Sequence, residues 1–141
     1  MRVFYIFQIK KDLEKITKEN PYMLFHTLET IYYREPDDIK LGYMFLKQII
    51  EPIAIKDLDV LLFKKYKENY FYMKYRNVHS MHDVYRKENT TLTLNKTYIK
   101  LETNVIKPRF LNELRKNSNF FICDFTEKDY FWLDSLEVFL V

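Results

Sequence analysis

FFICDFTEKDYFWLD, residues 120–134, decides how the rest of the chain is read. Apolar residues alternate on both sides of a polar TEKD, so FFICDF and YFWL read as two strands of one hairpin. In a period-2 register Phe121, Cys123 and Phe125 share a face, which seats the sulfur between two rings. A cysteine nucleophile needs a base within reach and a lowered pKa, and a cysteine in apolar surroundings is inert. Cys123 is therefore expected in the core, as a small hydrophobe beside Trp132. Asp124 is expected to face the other way with Ile122, or to mark the strand edge before the turn.

Working outward, PRFLNELRKN (108–117) reads as a helix with proline first and Phe110, Leu111 and Leu114 inward. TLTLNKTYIKLET (91–103) reads as a hairpin turning at Asn95–Lys96. NYFYMKYRNV (69–78) reads as one strand, alternating Phe71, Met73, Tyr75 against Tyr70, Tyr72, Lys74, Arg76, with MHDVYRKE (81–88) pairing to it. DLDVLLFKKYKEN (57–69) is a short amphipathic helix. At the start, RVFYIFQI (2–9) is apolar on both faces, as a buried strand is. KKDLEKITKEN follows as a short helix whose apolar residues are Leu13 and Ile16. Asn20–Pro21 caps a second helix, whose inward stripe is Leu24, Phe25, Leu28, Ile31 and Tyr32. Glu35–Pro36 ends it, and Asp37 caps a third helix that runs to about Ile50. The main elements run β-α-α-α-β-β-β-α-β-β. That order predicts one domain over residues 1–141, of α/β (α+β) class, with a mixed, mostly antiparallel sheet flanked by helices.

The 141 residues suffice for one core, and with aromatics at 18% that core is built largely on rings. No window is apolar for the ~18 residues of a membrane span, and the amino terminus lacks the pattern of a signal peptide. The lone cysteine fits a reducing, cytoplasmic setting. A net charge of +3 neither demands nor excludes nucleic acid. The single glycine, Gly42, is more restrictive. Phosphate cradles need several glycines, so nucleotide-binding loops and the coenzyme A loop of acyltransferases are not expected, nor is any cofactor.

Other constellations are weaker. His79 and His82 are too few to fill a zinc site, and His26 reads as an ordinary helix residue. Tyr70, Tyr72, Lys74 and Arg76 on one strand face suggest single-stranded nucleic acid, but tyrosine is also simply a good strand former. The third helix is the anomaly. Ile39, Tyr43, Leu46 and Ile50 cluster on one side, while Leu41, Met44 and Phe45 cluster nearly opposite, with Gln48 among them. Lys40 and Lys47 share a narrow polar strip. A helix apolar almost all round is wholly buried or covered by another protein, and the first helix is poor cover.

Three segments carry a family resemblance: FYIFQIKKDL (4–13), KQIIEPIAI (47–55) and FFICDFTEKDYFWL (120–133), with PRFLNELRKN in its place before the last. The chain resembles the sporulation inhibitor of replication (SirA) family of endospore-forming bacteria. The resemblance implies a fold like that of the GNAT acetyltransferases without their chemistry. It also implies binding to the amino-terminal domain of the replication initiator DnaA, with no direct contact to nucleic acid or membrane. The family's partner face falls on Leu13 and Thr17 of the first helix, where the family has aromatic residues, and on Phe45 and Gln48 of the third. With Ile16 and Leu41 beside them, these are the candidate partner-binding residues. An acyltransferase-like enzyme and a single-strand binder are the alternatives.

Overall fold

Strand β1 (Arg2–Gln8) lies inside the sheet, hydrogen-bonded on both edges. This is why its sequence is apolar in both registers: Phe4 and Ile6 face one layer, Tyr5 and Phe7 the other. The structure, a computed structural model, describes residues 1–34, 39–116 and 119–135. The other strands are β2 (Tyr72–Tyr75), β3 (Val78–Asp83), β4 (Glu88–Leu94), β5 (Ile99–Thr103), β6 (Phe120–Asp124) and β7 (Asp129–Trp132). They form one open seven-stranded sheet in the order β2-β3-β4-β5-β1-β6-β7. Every strand pair in it is antiparallel, so the sheet is antiparallel throughout and not mixed.

The helices are α1 (Lys11–Glu19), α2 (Pro21–Tyr32), α3 (Ile39–Ile49), α4 (Ile55–Tyr66) and α5 (Leu111–Leu114). Leu58, Leu62 and Tyr66 of α4, with Phe110, Leu111 and Leu114, cover one face of the sheet over Phe4, Ile6, Leu92, Leu101 and Ile122. On the other face Leu24, Phe25 and Leu28 of α2, with Leu46 and Ile49 of α3, cover Phe7, Phe121, Cys123 and Trp132. That second cover stops short of β2 and β3, where Met73, Tyr75 and His82 are exposed.

Three sequence expectations change. The single strand over 69–78 is two pieces: β2 ends at Tyr75, and Arg76, at φ 54°, turns the chain into β3. MHDVYRKE is split between β3, a turn and the start of β4, giving a fourth strand in the middle of the chain. The helix over 108–117 is a single turn with Phe110, Leu111 and Leu114 buried as expected. Asn117, like Glu35, Pro36 and Asp37, lies outside the described residues. Asn20 caps α2 as the sequence indicates, accepting a bond from Met23 N at 3.4 Å with Pro21 in the first turn.

Two hairpins share one turn chemistry. In DVYRKE, Asp83 accepts hydrogen bonds from the backbone of Tyr85 and Arg86, and Lys87 takes a left-handed φ of 53°. In DFTEKD, Asp124 accepts from Thr126 and Glu127, and Lys128 takes φ 54°. Each pair of acids is then clamped by one arginine. Arg109 bridges Asp83 and Glu88, and Arg2 bridges Asp124 at 3.0 Å and Asp129 at 3.1 Å. Burial raises the Asp83 pKa, but the bonds from Arg86, Arg109 and Tyr85 outweigh it and hold the group below its ordinary value. Asp124 is thus a turn-capping carboxylate, fully engaged.

Candidate functional site

Chemistry was first to be sought at Cys123. The thiol is buried in β6 with Phe121 and Phe125 in the same cluster, and among the described residues no base bonds to it. Burial pushes its pKa well up, and the charge of Glu29 adds to this. A thiol held protonated is a poor nucleophile. Cys123→Ser should cost roughly 1–3 kcal/mol, because a hydroxyl would be buried without a sure partner. Urea unfolding measures this, and a fully stable but inactive serine variant would give Cys123 a chemical role.

His79 and His82 lie three apart in one strand, so their side chains leave opposite faces. His79 is wholly buried under α4. Its Nε2 lies 2.8 Å from Asp59 Oδ1 and its Nδ1 2.6 Å from the Tyr72 hydroxyl. A neutral ring satisfies both, donating from Nε2 and accepting at Nδ1. Asp59 also pairs with Lys74 at 3.2 Å. Tyr72 and Lys74 are therefore turned onto the α4 side and engaged there. Of the four residues of the expected nucleic-acid face, Tyr72 and Lys74 are engaged in this way, while Tyr70 and Arg76 stay exposed.

Burial lowers the His79 pKa, and the bond to Asp59 opposes this only in part. Below the unfolded value of about 6.5 the unfolded chain takes up a proton that the folded chain resists. Stability is thus full above that value and falls as pH drops through it toward the lower folded pKa. Urea titrations at pH 7.5 and 5.5 should show a larger loss for the wild type than for His79→Gln. Equal losses would assign the pH dependence elsewhere.

What remains is an exposed apolar surface on α3. On α3 the packing seam runs through Gly42, Leu46 and Ile49 to Ile50, and not through Tyr43, which is exposed. The side chain of Ile39 lies outside the described residues. Leu46 and Ile50 lie on the expected side and Tyr43 does not, because Gly42, which carries no apolar side chain to register, takes that place in the seam. A Cβ there would meet Arg34 Cδ at 3.0 Å and Ile31 Cγ2 at 3.8 Å. The opposite side of α3 stands in solvent: Leu41 is 43% exposed, Met44 60% and Phe45 41%, with Gln48 exposed beside them.

Phe45 and Gln48 come together in a groove of about 310 Å³ between α2 and α3, walled by Ile31 and Ile49 and by Arg34. The Arg34 guanidinium carbon sits 5.3 Å from the centre of the Phe45 ring, within cation–π range. The first-helix candidates are not in this groove. Leu13 packs against the core, and the Thr17 hydroxyl donates to Leu13 O at 2.7 Å, leaving Ile16 as the apolar residue of α1 in solvent. Arg34 was missed in the sequence, where nothing marks a cation after a helix as special. Gly42 was the available signal, since a glycine in an apolar helix marks a close approach.

Among the described residues no helix is long and apolar enough to cross a membrane, and no group of three or more His, Cys, Asp or Glu is placed to hold a metal ion. A family model described as sporulation inhibitor of replication protein SirA matches residues 2–137, nearly the whole chain. No curated protein matches it.

Proposed function

The chain belongs to the SirA family of sporulation inhibitors of replication, and on that footing we propose that it acts by contact, binding the amino-terminal domain of the initiator DnaA. The family name implies a replication inhibitor of sporulation, and so a partner in replication initiation. The observation that carries the finer reading is the exposed apolar ridge of α3, with Phe45 and Gln48 in one groove. Those two positions are among the four that the family resemblance marks as partner-binding, with Leu13 and Thr17. Apolar surface left in solvent along one helix face is what a partner would cover. Ile16 and Leu41 are the further apolar contacts, and Leu13 and Thr17 support them from within α1.

The proposal includes a scaffold like that of the GNAT acetyltransferases, put to work without acyl transfer in the cytoplasm. Two observations favour a contact role over an enzyme. The buried, protonated Cys123 has no base bonded to it among the described residues, and His79 is locked between Asp59 and Tyr72. The test is calorimetry of the whole chain with the DnaA amino-terminal domain and, separately, with acetyl-coenzyme A. Saturable heat is expected with the first and none with the second. No heat with the DnaA domain would remove this partner. A clear micromolar isotherm with the coenzyme would overturn the contact-only reading.

A further inference from the structure

Among the described residues, Arg34 is held in place without a carboxylate partner. Its stem crosses α3 at Gly42, where the missing Cβ makes room for it, and its guanidinium stands over the Phe45 ring. Its Nε is buried and makes no hydrogen bond, and no carboxylate among the described residues pairs with it. Glu29 of α2 is taken by Lys128 at 2.7 Å. Arg2 and Arg109, by contrast, each clamp two carboxylates. Among the described residues, the lining of the α2–α3 groove contains no acid. The hydroxyls of Thr27 and Thr30 in its wall already donate to carbonyls of their own helix.

We propose that this groove takes a carboxylate side chain of the protein partner, flanked by apolar residues, with Arg34 as the clamp. The inference rests on the contact reading above and names the chemistry of that contact. A guanidinium offers a planar fork of donors that matches a carboxylate with two parallel bonds. Here stacking on Phe45 and packing at Gly42 fix the fork beforehand, so little freedom is lost when the partner arrives. Phe45 and Ile49 supply the apolar walls, and Gln48 at the rim can donate to the same acid.

The test titrates the DnaA amino-terminal domain against wild type, Arg34→Gln, Arg34→Lys and Phe45→Ala. It is repeated with each acidic residue of the domain neutralised in turn. Arg34→Gln should weaken binding about thirtyfold or more, the low end for removing one member of a hydrogen-bonded charge pair. Arg34→Lys should recover part of that. One neutralised acid should weaken wild type to a similar degree and add nothing on top of Arg34→Gln. If Phe45→Ala loses affinity and Arg34→Gln does not, the carboxylate clamp is wrong and the contact reading stands. A loss at Arg34→Gln that couples to no acid would assign another acceptor and overturn the proposal. No binding by wild type removes both readings. Should the Arg34 variants fail to fold, Gly42→Ala displaces the Arg34 stem while favouring the helix, and must weaken binding severalfold for the clamp to survive.

Discussion

Phe121→Ala should unfold the protein more easily by about 3–5 kcal/mol, a large part of the 5–15 kcal/mol that typically separates folded from unfolded chains. Phe121 is fully buried in β6, between Phe7 of β1 and Trp132 of β7 in the paired register. Its ring meets Trp132 edge-on at 5.2 Å and tilts toward Tyr130 at 6.2 Å. Edge-on ring pairs add roughly 0.5–1.5 kcal/mol beyond the area they bury. The surrounding strands cannot collapse into the space without breaking their ladders, so the cavity stays and its cost is kept. Urea unfolding at pH 7.5 measures the change. A loss below about 1 kcal/mol would mean that this half of the core rearranges freely, against the close packing of protein interiors. Because α2 and α3 dock on the same cluster, the variant should also loosen the groove that they form.

The parts of this core that the sequence revealed are those where period and chemistry agree. RVFYIFQI is apolar in both registers because β1 is bonded on both edges, and FFICDF places Cys123 between rings because β6 is buried throughout. Asn20–Pro21 announced its helix through an ordinary capping bond. The turns were harder. Rules for hairpins look for glycine, which bears a positive φ without strain. This chain has one glycine, in a helix, and makes its left-handed turn residues from Arg76, Lys87 and Lys128. A strand break at Arg76 therefore looked like continuous strand. Asp83 and Asp124 compensate by taking two backbone donors in each of the other two turns. That pattern was legible in DVYRKE and DFTEKD, though only as chemistry recurring at equal spacing.

The exposed face of α3 was half legible for a related reason. A helical wheel weighs side chains, so it found the exposed row of Leu41, Met44 and Phe45 and missed the seam through Gly42. Arg34 was invisible to it, because an unpaired guanidinium is a fact of neighbours and not of spacing. Ile16 and Leu13 looked equivalent in α1, yet one is in solvent and the other packs on the core. Helix α1 is too polar for periodicity to decide which way it rolls.

Phe45→Ala should leave the fold nearly intact and remove about 2 kcal/mol or more of partner binding, roughly thirtyfold in affinity. It is the same substitution as at Phe121, and the two differ through burial alone. At 41% exposure the Phe45 ring keeps much of its surface in water, so truncation forfeits little transfer energy and opens no closed cavity. The stacked Arg34 loses one neighbour, a contact worth ~0.5–1 kcal/mol at an exposed site. Stability should therefore fall by about 1 kcal/mol, against the ~3–5 kcal/mol of a buried phenylalanine. In the proposed complex the balance should reverse, because the ring would become the desolvated anchor and Gln48, one turn on, would supply a directional bond beside it. Thermal melts and calorimetry with the DnaA amino-terminal domain, run on one preparation, separate the outcomes. A drop in melting temperature as large as that of Phe121→Ala would return α3 to the core. Unchanged stability with unchanged binding would take Phe45 out of the interface and leave the α3 ridge without its anchor.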